Sequence, residues 1–359
     1  AGVDEATWVV PVHVRSGGQT QTTLVDGADP VHLTIEAATG PIVVNAGGHG
    51  FFRVAYGPRL RSRLTDPASV QQLDTLERYS LVDDAWAATV AGEMSAADLL
   101  TLLEGFVDER EYGVWQAIVI ALGGLSRLVE GPALDALRRR IRALVAPALD
   151  SLGAPVAGEA DLTAKLRGVL TRTLGSLGAD DAVRAASREI FAAGHRGEPV
   201  DAELLAAATR VVAARGDADD FAMMLDGFTG AGTPQEQLRN LYALADFDDP
   251  ELVARACELA MSEAVKTQNG PFLLNSAIAN RNHGAGAWEF VKANWDEATR
   301  RFPSNTIVRM VDSVKLLTSD GAVDDAAAFF ADHPIEQAVQ TLEQLLERQR
   351  VNAALLLSL

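Results

Sequence analysis

The sequence has very little cysteine, and this scarcity limits its covalent chemistry and its location. One cysteine, Cys257, stands among 359 residues. No internal disulfide is therefore possible, and a structural zinc site built from several thiolates is excluded. The composition favours a reducing compartment, and we expect the protein to be cytoplasmic. Cys257 itself is expected to be a small buried helix residue, because free cysteines are commonly buried.

Basic charge is also scarce. The chain has 31 lysine and arginine residues against 49 aspartate and glutamate residues, a formal net charge of −18. This charge repels phosphate backbones and anionic lipid, and no lysine- or arginine-rich stripe interrupts it. No apolar run reaches the roughly 18 residues that a membrane-spanning helix requires. We therefore expect neither a nucleic-acid partner nor a membrane span.

Motifs that would carry catalysis are missing as well. None of the six histidines has another within four positions, so the His-Glu-x-x-His zinc motif is absent. The stretch Asn45-Ala-Gly-Gly-His-Gly50 lacks the Gly-Lys-Ser/Thr ending of a phosphate loop, and we interpret it as a turn between two strands. No Gly-x-Ser-x-Gly elbow is found. The sequence predicts no catalytic residue, no metal site and no cofactor in this chain.

Residues 1–62 have the pattern of short antiparallel strands. Valines alternate with other residues from Val10 to Val14, and Gly17-Gly18 supplies a turn, which together predict a hairpin. Further strands are expected, separated by glycine-containing turns, at 20–24, 31–35, 41–45 and 51–56. The spacing is typical of a short N-terminal antiparallel β-sandwich.

Residues 63–359 change to apolar residues at helical spacing. The first helices are expected at 67–79 and 82–91. Ser95 and Thr233 each stand three residues before an acidic residue and predict helix starts. The fold class is therefore mainly α, with the small β-sandwich followed by a HEAT- or armadillo-like superhelical domain of helix pairs.

Several motifs, in order along the chain, resemble those of a known family. Trp8-Val-Val-Pro11 and the stretch from Asn45 through Gly50-Phe51-Phe52-Arg53 to Tyr56 are similar to segments that follow the catalytic domain in M1 (aminopeptidase N-type) zinc aminopeptidases. Later motifs that resemble the same family are Glu77-Arg78 with Asp83-Asp84, Glu109 to Trp115, Asn280-Arg281-Asn282, Ala287-Trp288-Glu-Phe290 and Asn294-Trp295.

This resemblance implies a fold and a role for the chain. It would be the C-terminal region of a zinc metallo-aminopeptidase, in which a β-sandwich links the catalytic domain to a helical bowl over the active site. The Zn²⁺ and its ligands would lie upstream of Ala1, so this chain would be an excised, inactive segment. Its partners would be the upstream catalytic domain of the same polypeptide and the peptide substrates of the parent enzyme. The alternative is a free-standing helical-repeat module that binds another protein.

The resemblance also marks a set of residues as structural members of family motifs. They are Trp8, Asn45, Gly50, Phe51, Arg53, Tyr56, Arg78, Asp83, Trp288 and Trp295. Trp8 is expected to pack and to protect a sheet edge. Trp288 and Trp295 are seven residues apart, so they share a helix face, and core packing is favoured for both.

Two arginines in this set have alternatives that the sequence leaves open. Arg53 lies among valines and aromatic residues, and pairing within the sheet is favoured over ligand contact. Arg78 is expected either to form an ion pair with Asp83 or Asp84 at the domain junction or to lie on a solvated charged face.

Four residues are candidates for lining a peptide chamber, namely Arg281, Asn282, Tyr112 and Trp115. Arg281 could hold a peptide carboxylate with two parallel hydrogen bonds. Capping or loop-closing hydrogen bonds are the alternative for Arg281 and Asn282. Tyr112 and Trp115 are one helical turn apart, and core packing is their alternative.

Overall fold

The computed structural model describes residues 8–35 and 40–358. The chain divides into two compact units. The first extends to Ser126 and also includes Arg139–Gly153, and the second comprises Arg127–Arg138 and the residues from Ala154 onward. The boundary predicted between residues 62 and 63 falls within the first unit and stays a prediction about domains.

The sheet of the first unit has three antiparallel strands in the order β2-β1-β3. The strands are β1 (Val9–Ser16), β2 (Gln19–Asp26) and β3 (Ile42–Val44). β1 pairs with β2 along its whole length, but it pairs with β3 only over its last three residues. Gly17 and Gly18 have φ of 56° and 84°, as a two-residue hairpin turn requires. The predicted hairpin is confirmed.

Two expected strands are not formed, since residues 31–35 and 51–56 have no strand. In the second segment, side chains bind the backbone in place of a neighbouring strand: the Val54 amide donates to Asp84 Oδ2 over 3.2 Å. Alternating sequence cannot reveal whether a segment has a strand partner, which explains the error. The described residues form one sheet, and the predicted β-sandwich is not confirmed by them.

The described part of the chain is otherwise mainly helical, and the predicted class is confirmed. The α-helices are α1 (Pro58–Arg61), α2 (Pro67–Val70), α3 (Thr75–Val90), α4 (Ala96–Glu104), α5 (Tyr112–Leu128), α6 (Gly131–Leu152), α7 (Asp161–Arg172), α8 (Asp181–His195), α9 (Ala202–Ala213), α10 (Ala218–Thr229), α11 (Pro234–Ala243), α12 (Pro250–Met261), α13 (Gly270–Ile278), α14 (Gly284–Ala293), α15 (Trp295–Arg301), α16 (Ser304–Met310), α17 (Ala322–Asp332) and α18 (Val339–Ser358). Consecutive helices pack in pairs in the second unit, including α8 with α9 and α10 with α11. A regular HEAT- or armadillo-like repeat stays a prediction.

Local capping explains where these helices begin. Ser95 Oγ accepts a hydrogen bond from the Asp98 amide, and Thr233 Oγ1 accepts one from the Glu236 amide, so both predicted starts are confirmed. The predicted break between helices at residues 80 and 81 is wrong, because α3 continues through these two residues. Its start is fixed by a reciprocal capping box between Asp74 and Glu77.

In the part of the second unit that the structure describes, buried residues form two apolar clusters. In one, Phe221 and Phe247 meet edge-on with ring centres 5.3 Å apart. Cys257 is fully buried in α12, as predicted, and burial raises the pKa of its thiol to about 12. Within the described residues, no helix has both the length and the apolar character needed to cross a membrane.

Candidate functional site

Glu77 is the centre of a hydrogen-bond network in the first unit. Its carboxylate accepts hydrogen bonds from the Arg15 guanidinium, from the Gly47 amide at 3.0 Å and from the Asp74 amide at 2.9 Å. Burial alone would raise the pKa of Glu77, but these donors outweigh it and lower the pKa below its usual value. The network therefore joins β1, the turn after β3 and the first turn of α3.

Arg53 joins the segment after this turn to the same helix. It is not in a sheet, which corrects the expected sheet pairing, and its guanidinium binds Asp83 and, at 3.2 Å, Asp84. Burial raises the pKa of the Asp84 carboxyl. Nearby, the Tyr56 hydroxyl accepts from the Val44 amide at 2.9 Å, and burial raises the pKa of Tyr56 to about 12. These residues hold the chain in place and contribute no reactive group.

Arg78 is bound differently from the expectation. Its guanidinium donates to Glu109 at 2.6 Å and to the Leu73 carbonyl at 2.7 Å, and it forms no ion pair with Asp83 or Asp84. Sequence proximity suggested the wrong acid, because side chains five or six residues apart on a helix lie on different faces. Glu109 is buried, so the pair fixes the entry to α5 rather than lying on a solvated face.

The Asn45 to Gly50 stretch forms a closed turn. The Asn45 side chain accepts from the Gly50 amide at 2.7 Å and donates to its carbonyl at 2.9 Å. A Cβ on Gly50 would lie only 2.1 Å from a ring carbon of Phe52, so any other residue here would displace the Phe52 ring. The turn leaves Phe51 fully exposed. The glycine cluster is therefore a turn, as predicted, but it follows β3 without leading into a second strand, since residues 51–56 form none.

Three aromatic residues of the first unit differ in exposure. Trp8 is 75% exposed, so the expected packing is wrong within the described residues. Trp115 is completely buried, and its indole donates to the Glu109 carbonyl at 3.1 Å. A fully buried side chain offers no surface to a ligand, so the packing alternative fits Trp115. Tyr112 is half-buried, with its hydroxyl 2.5 Å from Gln116 Nε2.

Trp288 and Trp295 are buried in an apolar cluster of the second unit, the one that does not contain Phe221 and Phe247. The predicted core packing of both residues fits this position. Both indoles contact Phe329, with ring centres 5.1 Å and 5.2 Å apart, and both contact Phe330. They belong to two successive helices, α14 and α15, rather than to one helix face. The Trp288 indole donates to Asp325 Oδ2 at 2.8 Å, which satisfies its only polar group.

A polar loop in the second unit contains Arg281 and Asn282, and Asn280 organises it. The Asn280 amide group donates to the Ala245 and Phe247 carbonyls, both at 2.9 Å. Its oxygen accepts from the Asn282 and His283 amides, both at 3.0 Å. Asn280 thus ties the loop between α13 and α14 to the residues that follow α11.

Arg281 forms half of a reciprocal clasp with Arg127. The Arg281 guanidinium donates to the Val129 carbonyl at 2.8 Å, and the Arg127 guanidinium donates to the Ala279 carbonyl. Each clasp bond spans 152 residues of sequence. One guanidinium nitrogen of Arg281 therefore closes the loop, as the loop-closing alternative predicts. The Arg281 side chain nevertheless remains exposed.

Two aspartates beside this loop bind further polar groups. Asp246 Oδ2 is 2.8 Å from Arg210 Nη1 and 4.0 Å from Arg172 Nη2. Asp248 accepts from Asn282 Nδ2 at 2.6 Å and lies 4.0 Å from Arg215. Asn282, one of the predicted lining residues, is therefore held by the Asp248 carboxylate, at the edge of an arginine-rich surface.

Arg172 occupies a particular position in its helix. α7 ends at Arg172, and a π-helical turn, Thr173–Leu177, follows directly. Arg184 Nε donates to the Gly175 carbonyl at 2.9 Å, so it supplies a partner for this wider turn. π-turns are rare and are frequent at functional sites.

Most of this arginine-rich surface cannot be predicted from the sequence. Arg127, Arg172, Arg210 and Arg215 come from separate parts of the chain, and their spacing carries no signal. Asn280 belongs to one of the family-like motifs, which is the only signal in the sequence that points to it. Among residues 8–35 and 40–358, no group of three or more histidine, cysteine or acidic side chains is arranged to hold a metal ion.

Comparisons with known proteins agree with the recognised motifs. The family described as "ERAP1-like C-terminal domain" matches residues 41–351. Aminopeptidase M1-A of Oryza sativa subsp. japonica is 28% identical over 87% of the chain, and glutamyl aminopeptidase of Rattus norvegicus is 25% identical over 96%. The chain covers only 36% and 38% of these relatives. Because the family match extends over most of its length, the chain belongs to the ERAP1-like C-terminal domain family.

Proposed function

We propose that the chain is the non-catalytic C-terminal portion of a zinc aminopeptidase that removes amino-terminal residues from peptides. The helical part covers the active site and controls which peptides enter. The family match over residues 41–351 carries this proposal, together with the absence of His-Glu-x-x-His from the sequence. The named relatives are aminopeptidases of more than twice the matched length, which supports a separate catalytic part.

The zinc would be held by that catalytic part, because the residues of this chain do not fit the ion. No suitable group of ligands is found in the described ranges. Cys257 is buried, and its raised pKa keeps the thiol protonated, whereas zinc binds the thiolate. The contribution of this chain is therefore to exclude, orient and select. A cytoplasmic location stays a prediction from the cysteine content.

The first unit offers a surface for the catalytic part of the same polypeptide. Trp8 is 75% exposed, Val9 60% and Leu24 59%, and Phe51 is fully exposed. Val9 and Leu24 lie on one face of the sheet, since the β1–β2 register places Val9 opposite Asp26 and Pro11 opposite Leu24. Exposed apolar side chains on one sheet face, such as Val9 and Leu24, are typical of interaction surfaces.

In the second unit, Arg281 is the proposed contact for the carboxylate at the distal end of a peptide. One of its nitrogens is held by Val129, which positions the guanidinium, and its side chain remains exposed. A guanidinium held in this way loses little freedom on binding a carboxylate. Asn282, the next residue in the same loop, is proposed as a second polar contact. Tyr112 belongs to the first unit and stays a predicted lining residue.

Arg281→Gln tests this contact in the full-length polypeptide. We expect KM for a peptide with a free terminal carboxylate to rise about tenfold, because one charge-assisted pair is lost. The same peptide with a terminal amide should show no change. Steady-state kinetics with both peptides measure the effect, and Arg196→Gln is the control because Arg196 is exposed and pairs locally with Glu198. An equal rise for both peptides would contradict the contact.

The genomic reading frame upstream of Ala1 separates the proposal from a free-standing interaction module. An open frame that encodes His-Glu-x-x-His supports the aminopeptidase. A start codon close to Ala1, with no such motif upstream, contradicts it and favours the interaction module.

A further inference from the structure

Five arginines in the second unit share two aspartates. Arg127, Arg172 and Arg210 are attracted to Asp246, whereas Arg215 and Arg281 are attracted to Asp248. We call the five side chains the arginine group. Arg281 also interacts with Arg138 and Glu130, both more strongly than with Asp248, and the effects of these two residues on Arg281 have opposite signs.

Members of the arginine group remain accessible to a ligand, as Arg172 shows. Its side chain is 54% exposed, close to the 56% of Arg196. Desolvation by the surrounding protein nevertheless lowers the pKa of Arg172, whereas the hydrogen bond with Glu198 raises the pKa of Arg196. The Arg172 guanidinium is also only weakly paired, because the carboxylate oxygen that it approaches, on Asp246, lies 4.0 Å away.

Positive charges in the arginine group also repel one another. Burial lowers the pKa of Arg127, and Arg281 lowers it further. Arg172 is likewise desolvated, and Arg210 adds to the lowering of its pKa. Like charges held close together at low dielectric cost free energy that a bound anion would offset. Carboxylates match the planar fork of guanidinium groups and accept two parallel hydrogen bonds from it.

The remaining charge of the chain restricts the kind of anion. With a net charge of −18, the protein repels a long, uniformly negative ligand such as a nucleic acid. A peptide with one or two carboxylates carries little negative charge, and the arginine group can bind these carboxylates directly. The two aspartates can accept backbone N–H groups of the same peptide.

We propose that the arginine group selects peptides with acidic side chains several residues from their amino terminus. This inference rests on the proposed role in peptide entry and adds a substrate class to it. It differs from the carboxylate contact of Arg281, because side-chain carboxylates are bound whether or not the peptide terminus is free.

Binding of labelled peptides to the 359-residue chain tests the proposal. The probe is a fluorescein-labelled nonapeptide amide with two glutamates near its distal end, and the reference is the same peptide with glutamines. Fluorescence anisotropy should show about tenfold tighter binding of the glutamate peptide, the change that one charge-assisted hydrogen bond produces. The difference should shrink as NaCl is raised, because salt screens the attraction.

Arg172→Gln and Arg215→Gln assign the effect to the arginine group. Both side chains are about half exposed, so the fold should survive, and circular dichroism checks this. Each change should weaken binding of the glutamate peptide about tenfold and leave the glutamine peptide unchanged. Arg196→Gln should change neither affinity, although Arg196 is exposed to the same extent.

Three results would overturn the proposal: equal affinity for the two peptides, equal losses with Arg196→Gln and Arg172→Gln, or displacement of the peptide by an equal concentration of tripolyphosphate. The third would show a site for small polyanions instead of peptides. In any of these cases, a glutamine peptide with a free terminal carboxylate could still bind in a way that depends on Arg281. That result would support the proposed function. The two ideas therefore fail independently.

Discussion

Replacing Trp288 with alanine is expected to destabilise the second unit by about 3–5 kcal/mol, the usual loss for a buried large aromatic side chain. The indole is 3% exposed and contacts Phe329 and Phe330. Removing it leaves a cavity between α14 and α17 and takes a hydrogen-bond donor from Asp325. Urea denaturation, followed by amide hydrogen exchange in these helices, measures the loss.

Trp8→Ala is the matched control because it removes the same side chain from an exposed position. Trp8 is 75% exposed, so the change in the free energy of unfolding should stay within about 0.5 kcal/mol. Trp288→Phe should fall between the two, since it keeps most of the aromatic contact. Similar losses for Trp8→Ala and Trp288→Ala would show that Trp288 is not a core residue.

Glu77→Ala is expected to destabilise the first unit by about 3 kcal/mol, at the lower end of the range for removing one partner of a buried ion pair. The Glu77 side chain is 1% exposed, and that of Arg15 is 23% exposed. The change leaves Arg15 without its carboxylate and two amides, of Gly47 and Asp74, without an acceptor. Chemical denaturation of the chain and its variant measures the difference.

The control for Glu77 is an acid in an exposed ion pair. Glu104 pairs with Arg140 at 2.8 Å with both side chains substantially exposed, so Glu104→Ala should cost less than about 1 kcal/mol. Equal losses for Glu104→Ala and Glu77→Ala would contradict the role of the network.

The stabilisation by Glu77 should also depend on pH. The folded state lowers the pKa of Glu77 below its unfolded value. Its contribution is therefore fully present above the unfolded pKa, about 4.3, and is lost as pH falls through the folded pKa. Wild type and Glu77→Ala should converge in stability in that acidic range. A constant difference down to the lowest pH would contradict the sign of the shift.

The sequence was informative about the class of the fold because helical periodicity and capping are local signals. Ser95 and Thr233 predicted helix starts correctly, since each cap needs only a residue three positions ahead. Strand partners are not local. Residues 51–56 alternate like a strand, yet the Asp84 side chain on α3 and the Tyr56 hydroxyl take part in the hydrogen bonds of this region.

The candidate site residues are also difficult to predict from the sequence, because their partners in the fold are distant along the chain. The family motifs located Arg281 and Asn282, but they could not indicate that Arg127 comes from 152 residues earlier to form the clasp. No regular spacing in the sequence marks the arginine group, because its members lie on separate helices and loops. The sequence predicts a pair between Arg78 and Asp83 or Asp84, whereas the folded chain provides Glu109.

The hydrolysis of aminoacyl-p-nitroanilides by the isolated chain, with zinc added, tests the central claim most directly. The chain should show no hydrolysis above the buffer rate, because its residues are proposed to shape and select and not to perform the reaction. A rate comparable to that of a full-length relative would contradict the account.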